Sequence, residues 1–224
     1  MNSFEIYKLL KNHFGEVGSW WPKDGPFEIV VGAILTQQST WTNVEKALKN
    51  LKDSNIFTPN DIFELPLEDL KQIIKPSGFF NQKAERLRKI SEYLLYTYGG
   101  ELELLFAKDK NIIRKELLEL KGIGNETADS IILYAAEKTE FVVDSYTKRI
   151  YSRLKIVEEN IKYEDLKEYI VNEIPENLLI YQEFHGLIVL LGKNICKKKN
   201  PNCNNCPLGS KCNFLINKKD INHS

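Results

Sequence analysis

All four cysteines of the chain fall in one seventeen-residue window, as Cys196, Cys203, Cys206 and Cys212, with six, two and five residues between them. Thiolates are soft ligands that select zinc or iron-sulfur centres, so the grouping points to a bound metal. Zinc ribbons and fingers use two close ligand pairs. Here only Cys203 and Cys206 form such a pair, and the flanking cysteines stand singly. A loop of that kind wraps something larger than one ion, which favours a 4Fe-4S cluster with one cysteine per iron over zinc. A disulfide pair is the poorer reading still. Seven lysines (193, 197, 198, 199, 211, 218, 219) and no acidic residue occupy Lys193 to Lys219, around the cysteine loop. Taken alone, that run also fits a solvated basic tail.

A second constellation is Leu120-Lys121-Gly122-Ile123-Gly124-Asn125, between two segments with helical spacing. Two glycines two apart permit backbone conformations closed to other residues. Amide groups in such a turn can hold a phosphate at the start of the next helix, although a plain helix-helix turn has the same pattern. Twenty residues after Gly124 stands Asp144, behind the apolar couplet Val142-Val143 and at the entrance to another helical segment. A fixed carboxylate there can stabilise developing positive charge or accept a proton from water, and it can equally cap the helix.

The elements that must position these groups read as helices. Phe80, Ala84, Leu87, Ser91, Leu94 and Tyr98 recur at intervals of three and four, as do Leu166, Ile170 and Ile174. Strand alternation is almost absent, and turn chemistry at Pro22 to Pro26, Thr58 to Asn60, Pro66, Pro76 to Gly78, Gly99 to Gly100, Gly122 to Gly124 and Pro175 cuts the chain into about ten short helices. The expected fold class is all-α, with lobes packed on each other, since no Gly-, Ser- or Pro-rich linker separates them. The 224 residues carry 31 basic and 31 acidic side chains, so net charge gives no hint of a polyanionic partner. No apolar run of about twenty residues and no signal-peptide pattern is present. The expectation is an intracellular protein without a membrane span.

Hairpin, aspartate and cysteine loop, in this order and at these distances, resemble the helix-hairpin-helix DNA glycosylases of the endonuclease III superfamily. The resemblance covers almost the whole chain: Thr36-Gln37-Gln38-Ser39 is similar to the family's glutamine motif, Gly78 to Ala84 to its wedge loop, and Leu191 to Cys212 to its cluster loop. It implies a two-lobed helical fold, with a six-helix barrel over residues 27–133. The second lobe would combine 1–26 with 134–224 and carry the 4Fe-4S loop at 196–212. It also implies a monomer acting on double-stranded DNA that contains a damaged base. Asp144 would be the catalytic carboxylate. A base inside a duplex must be flipped out before it can be cut. Gln38 would fill the hole, Phe79 would wedge beside the widowed partner, and Lys121, Gly122 and Gly124 would meet the backbone. Arg149 and Arg153 follow Asp144 at helical spacing and could meet phosphates, although arginines on a helix usually form a solvated face.

Glu126 departs from one branch of this family. Members that also cut the strand carry a lysine two residues after the second hairpin glycine, whose amine forms a Schiff base with the sugar. Glutamate cannot, so the resemblance implies a monofunctional enzyme that leaves an abasic site, with Lys121 keeping lyase activity open. Trp20 and Trp21 before Pro22, and Trp41 after the glutamine motif, resemble the 3-methyladenine branch. With Glu126 they would form the base pocket, where electron-rich rings suit a cationic alkylated purine. Uracil, mismatched thymine and 8-oxoguanine stay open as substrates.

Overall fold

A computed structural model describes residues 1–17, 21 and 25–215. Trp20, Pro22, Lys218 and Lys219 lie outside the described residues. Among the described residues every regular element is helical, and no helix is long and apolar enough to cross a membrane. In chain order the helices are α1 (Ser3–Phe14), α2 (Pro26–Leu35), α3 (Trp41–Asp53), α4 (Pro59–Glu64), α5 (Leu67–Ile73) and α6 (Phe80–Tyr98). They are followed by α7 (Leu102–Phe106), α8 (Lys110–Glu119), α9 (Asn125–Ser130), α10 (Ser145–Arg153), α11 (Tyr163–Val171) and α12 (Leu178–Asn194). The chain divides into two compact units, one of residues 21–140 and the other of residues 1–20 with 141–224.

The 21–140 unit is built around α2. Its segment Phe27–Leu35 has one charge, Glu28, and its apolar residues are buried on all sides, as expected of a helix enclosed by others. It packs against α3, α6 and α9. α6 presents the apolar stripe legible in its spacing: Ala84, Leu87, Ser91, Leu94 and Tyr98 are buried, while Phe80 is half-buried. Lys83 joins that buried face at 1% exposure, which its residue type does not announce. After α9 the helix widens, and the Ala136 N–H reaches back five residues to the Ile131 carbonyl at 3.0 Å. The helical spacing predicts an unbroken helix from Glu126 to Ala136. Instead, burial of every side chain from Ile131 to Tyr134 against α2 imposes a π turn over Ile131–Ala135.

In the other unit α12 packs on α1 and α10. α1 starts with a reciprocal cap, Asn2 Oδ1 accepting the Glu5 N–H at 2.8 Å and Glu5 Oε2 accepting the Asn2 N–H at 3.0 Å. The buried face of α12 carries Tyr181, Phe184, His185, Ile188 and Leu191 at helical spacing. At Gly192 the helix meets α10 so closely that a Cβ would overlap the Tyr146 ring, so only glycine allows this approach.

Candidate functional site

Asp144 ends an extended segment whose Phe141, Val142 and Val143 are all buried. It is the N-cap of α10: Oδ1 accepts the Thr147 N–H at 2.7 Å and the Thr147 hydroxyl at 2.8 Å. Its other oxygen, Oδ2, stands 3.7 Å from Nε2 of His185 on α12. The residue is 8% exposed. Burial pushes its carboxyl up, but His185 and the two Thr147 donors together outweigh this and hold it below its ordinary value of 3.8. The carboxylate expected to act in catalysis is thus also the cap of α10. It is ionised at neutral pH and desolvated, with Oδ1 held by Thr147 and Oδ2 facing the His185 ring. His185 carries no motif, and the only signal for it in the sequence is its place on the apolar face of a helix.

Downstream, Arg149 and Arg153 grip the cysteine loop. Arg149 donates to the carbonyls of Gly192 and Cys196, both at 3.0 Å, with its guanidinium 5.0 Å from the Tyr146 ring centre. Arg153 donates to the Lys197 carbonyl at 2.8 Å and the Lys198 carbonyl at 3.1 Å, and its Nη1 lies 3.2 Å from Cys196 Sγ. Their helical spacing after Asp144 left phosphate contacts and a solvated helix face as the two readings. Their guanidiniums are instead spent on loop carbonyls, which a helix-face reading cannot foresee because the acceptors lie more than forty residues away. The four cysteines line one small cavity, closed by Arg153, Phe214 and Leu215. Burial pushes the Cys206 thiol up to about 11, the other three cysteines adding to the effect. Among the described residues no three ligand-type side chains converge closely enough for a single ion.

In the 21–140 unit the glutamine motif and the hairpin come together. A cleft of about 190 Å³ is lined by Thr36, Gln37, Gln38, Glu126, Thr127 and Ser130, with Ala33 at its apolar side. Gln37 turns inward: its Nε2 donates to the Gly122 carbonyl at 3.1 Å and to Thr127 Oγ1 at 2.9 Å, while its Oε1 accepts from Arg86. Gln38 turns outward, exposed, with φ +52°. Phe79 is likewise left-handed at φ +47° and is 59% exposed. Left-handed backbone is uncommon outside glycine and asparagine, and a bulky exposed phenylalanine in that state is strained.

The two hairpin glycines differ. Gly122 has φ +97°, and a Cβ there would come within 2.5 Å of Arg86 Nε, so no other residue fits. Gly124 is extended at φ −103°, and a Cβ on it would meet nothing. Its bareness faces open space at the mouth of α9. Lys121 is exposed at the hairpin tip, and Glu126 is exposed in the first turn of α9. Arg114 Nε on α8 meets Asp129 Oδ1 on α9 at 2.6 Å, closing the hairpin behind its tip.

Of the tryptophans, Trp21 is buried at 4% exposure, its ring 5.4 Å from that of Trp41 and 5.0 Å from that of Tyr134. Trp41 is half-buried, with its Nε1 donating to Glu45 Oε1 at 2.8 Å. Trp21 thus backs Trp41 edge-on. Lys83 Nζ donates to the carbonyls of Leu35 and Ser77, both at 2.8 Å. Burial, with a smaller contribution from Arg86, brings its ammonium down to about 8.

The family model for HhH-GPD superfamily base excision DNA repair proteins matches residues 31–176, more than half of the chain. Over 210 residues the chain is 44% identical to a protein of Methanocaldococcus jannaschii provisionally named a DNA repair glycosylase, covering 93% of this chain and 94% of that one. Endonuclease III of Thermotoga maritima is 34% identical over 84% of this chain and 83% of its own. Among solved structures, Helicobacter pylori 3-methyladenine DNA glycosylase bound to 1,N6-ethenoadenine matches with TM-score 0.77 and 32% identity, over 86% of this chain and 98% of that one. A trapped endonuclease III–DNA covalent intermediate matches with TM-score 0.84 and 25% identity, over 98% and 99%. The chain belongs to the HhH-GPD superfamily of base excision DNA repair proteins, and its activity class is that of a DNA glycosylase acting on damaged duplex DNA.

Proposed function

We propose that this chain is a monofunctional glycosylase that releases an alkylated purine flipped out of duplex DNA and leaves an abasic site uncut. The observation that carries the reading is Glu126, a carboxylate in the first turn of α9 beside the polar cleft, at the position where strand-cutting relatives hold an amine. Without that amine no Schiff base forms there, and water is the nucleophile. Asp144, ionised and held by Thr147 and His185, stabilises positive charge on the sugar as the bond to the base breaks, or accepts the proton of the incoming water. Gln38 and Phe79 enter the duplex as the base leaves it, and Lys121, Gly122 and Gly124 meet its backbone. Trp41, backed by Trp21, offers an electron-rich ring to a cationic purine, and Trp20 is a further candidate. The ligand of the Helicobacter pylori relative, 1,N6-ethenoadenine, is itself a modified purine.

The cysteine loop fits a 4Fe-4S cluster held by Cys196, Cys203, Cys206 and Cys212, in a cavity that all four line. When bound, the cluster supplies a cationic core that lets the thiolates pack together and holds the lysine-bearing loop in place. Iron and inorganic sulfide in stoichiometric amounts, in brown protein, are the expected analysis. Colourless protein with stoichiometric zinc overturns the assignment. An enzyme acting on DNA works where the DNA is, so its place is inside the cell.

The endonuclease III likeness favours a second reading, a bifunctional enzyme using Lys121. One experiment separates the two. Duplexes carrying an alkylated purine, uracil, mismatched thymine or 8-oxoguanine are incubated with the protein, with borohydride in one arm and hot alkali in another. Release of the alkylated purine, strand breaks only after alkali and no trapped adduct are expected. A trapped adduct overturns monofunctionality, and release of only another base overturns the substrate.

A further inference from the structure

Gln38 and Phe79 sit on loops separated by some forty residues of sequence, yet one buried side chain reaches both. Lys83 Nζ donates at 2.8 Å to the Leu35 carbonyl, at the C-terminal end of α2 three residues before Gln38. It donates at the same distance to the Ser77 carbonyl, two residues before Phe79. The Lys83 backbone N–H bonds the Phe79 carbonyl itself at 3.1 Å, so this residue brackets the wedge from both sides. A lysine at 1% exposure loses its hydration and most of its side-chain freedom, and core packing alone would be served better by methionine or leucine. What the ammonium adds is directional. Two carbonyls from two loops converge on one cation, fixing the separation of the two strained tips. One turn further along α6, Arg86 bonds Gln37 and lies against Gly122, so the same helix face also carries the hairpin.

We propose that Lys83 is the positioning residue that couples the two duplex-entering loops, so that Gln38 and Phe79 insert as one unit. The proposal rests on the reading of Gln38 and Phe79 as the residues that enter DNA. Through Lys83 the α2 end and the wedge turn move together. Without it each loop keeps its own turn geometry but loses its register with the other.

The test is a double-mutant cycle on insertion, read by 2-aminopurine fluorescence in a duplex that places this base opposite a tetrahydrofuran abasic analogue. In the parent, Gln38→Ala and Phe79→Ala are each expected to lower insertion about ten-fold, and the double variant to depart from the product of the two by about five-fold. In a Lys83→Met background that departure should fall to within about two-fold of additivity, with both single effects still visible. Coupling of the parent's size in the Lys83→Met protein overturns the role of Lys83 alone. Single substitutions without effect in the parent overturn the reading of Gln38 and Phe79, and the tie with it. If Lys83→Met does not fold, Lys83→Gln is measured in its place, since its amide keeps a donor for one carbonyl. Reduced coupling is expected there, and undiminished coupling again overturns the proposal.

Discussion

Two helices begin twenty residues apart, α9 at Asn125 and α10 at Ser145, and each has a carboxylate at its start. Both carboxylates gain from the helix dipole. Asp144 is drawn into the protein, caps α10 through Thr147 and faces His185 at 3.7 Å. Glu126 stays exposed at the edge of a polar cleft. A charge removed from water and fixed by Thr147 exerts a strong field on whatever meets it, whereas an exposed charge is screened. The helix start favours a carboxylate in both places, and burial sets the two apart.

The largest test of that contrast is Asp144→Asn, which keeps the shape and removes the charge. Single-turnover base release should fall about 10³-fold, with DNA affinity changed only a few-fold. Comparable release from the variant would erase the distinction between the two sites. His185→Asn should slow release about ten-fold. Among the groups that lower the Asp144 carboxyl, His185 is the foremost, so its loss moves the carboxyl upward. In the parent that carboxyl titrates below 3.8, so its contribution to stability is complete above that value and is lost as pH falls through the lowered one. The acid limb of the parent's release profile should therefore lie below pH 3.8, and that of His185→Asn should lie higher. An unmoved limb would show that Thr147 alone sets the carboxylate.

Gly192→Ala probes the seat of α10 without touching a charge. The added methyl meets the Tyr146 ring, two residues from Asp144, and should cost about 1–3 kcal/mol in denaturant unfolding. The smallest effect is expected at α9, where Glu126→Gln should leave release within about three-fold of the parent. A loss approaching that of Asp144→Asn would make Glu126 a second catalytic group and collapse the comparison.

Much of this was legible along the chain because the physics was local. The α6 stripe follows from helical spacing, the cap at Asp144 from an aspartate ahead of a helix, and the cysteine grouping from ligand chemistry. Gly122 was readable as a turn that tolerates no side chain, although Gly124 needs no such freedom. Other roles were hidden. Arg149 and Arg153 read as phosphate ligands or a solvated helix face until the cysteine loop folds back onto them, and nothing local in the sequence sets Trp21 between Trp41 and Tyr134. Nothing in the sequence singles out Lys83 within the wedge-loop motif, or His185 among three histidines.

The sequence by itself determined an all-helical chain with a carboxylate at residue 144, no amine at residue 126 and a four-cysteine loop, because each depends on residue type and near spacing, and the order of those motifs carried the resemblance to the helix-hairpin-helix glycosylases. Tertiary structure alone decided that Asp144 is desolvated and faces His185, that Gln37 turns in while Gln38 turns out, and that Lys83 joins two distant loops. Those features depend on burial and on partners dozens of residues away, and neither quantity exists until the chain has closed on itself.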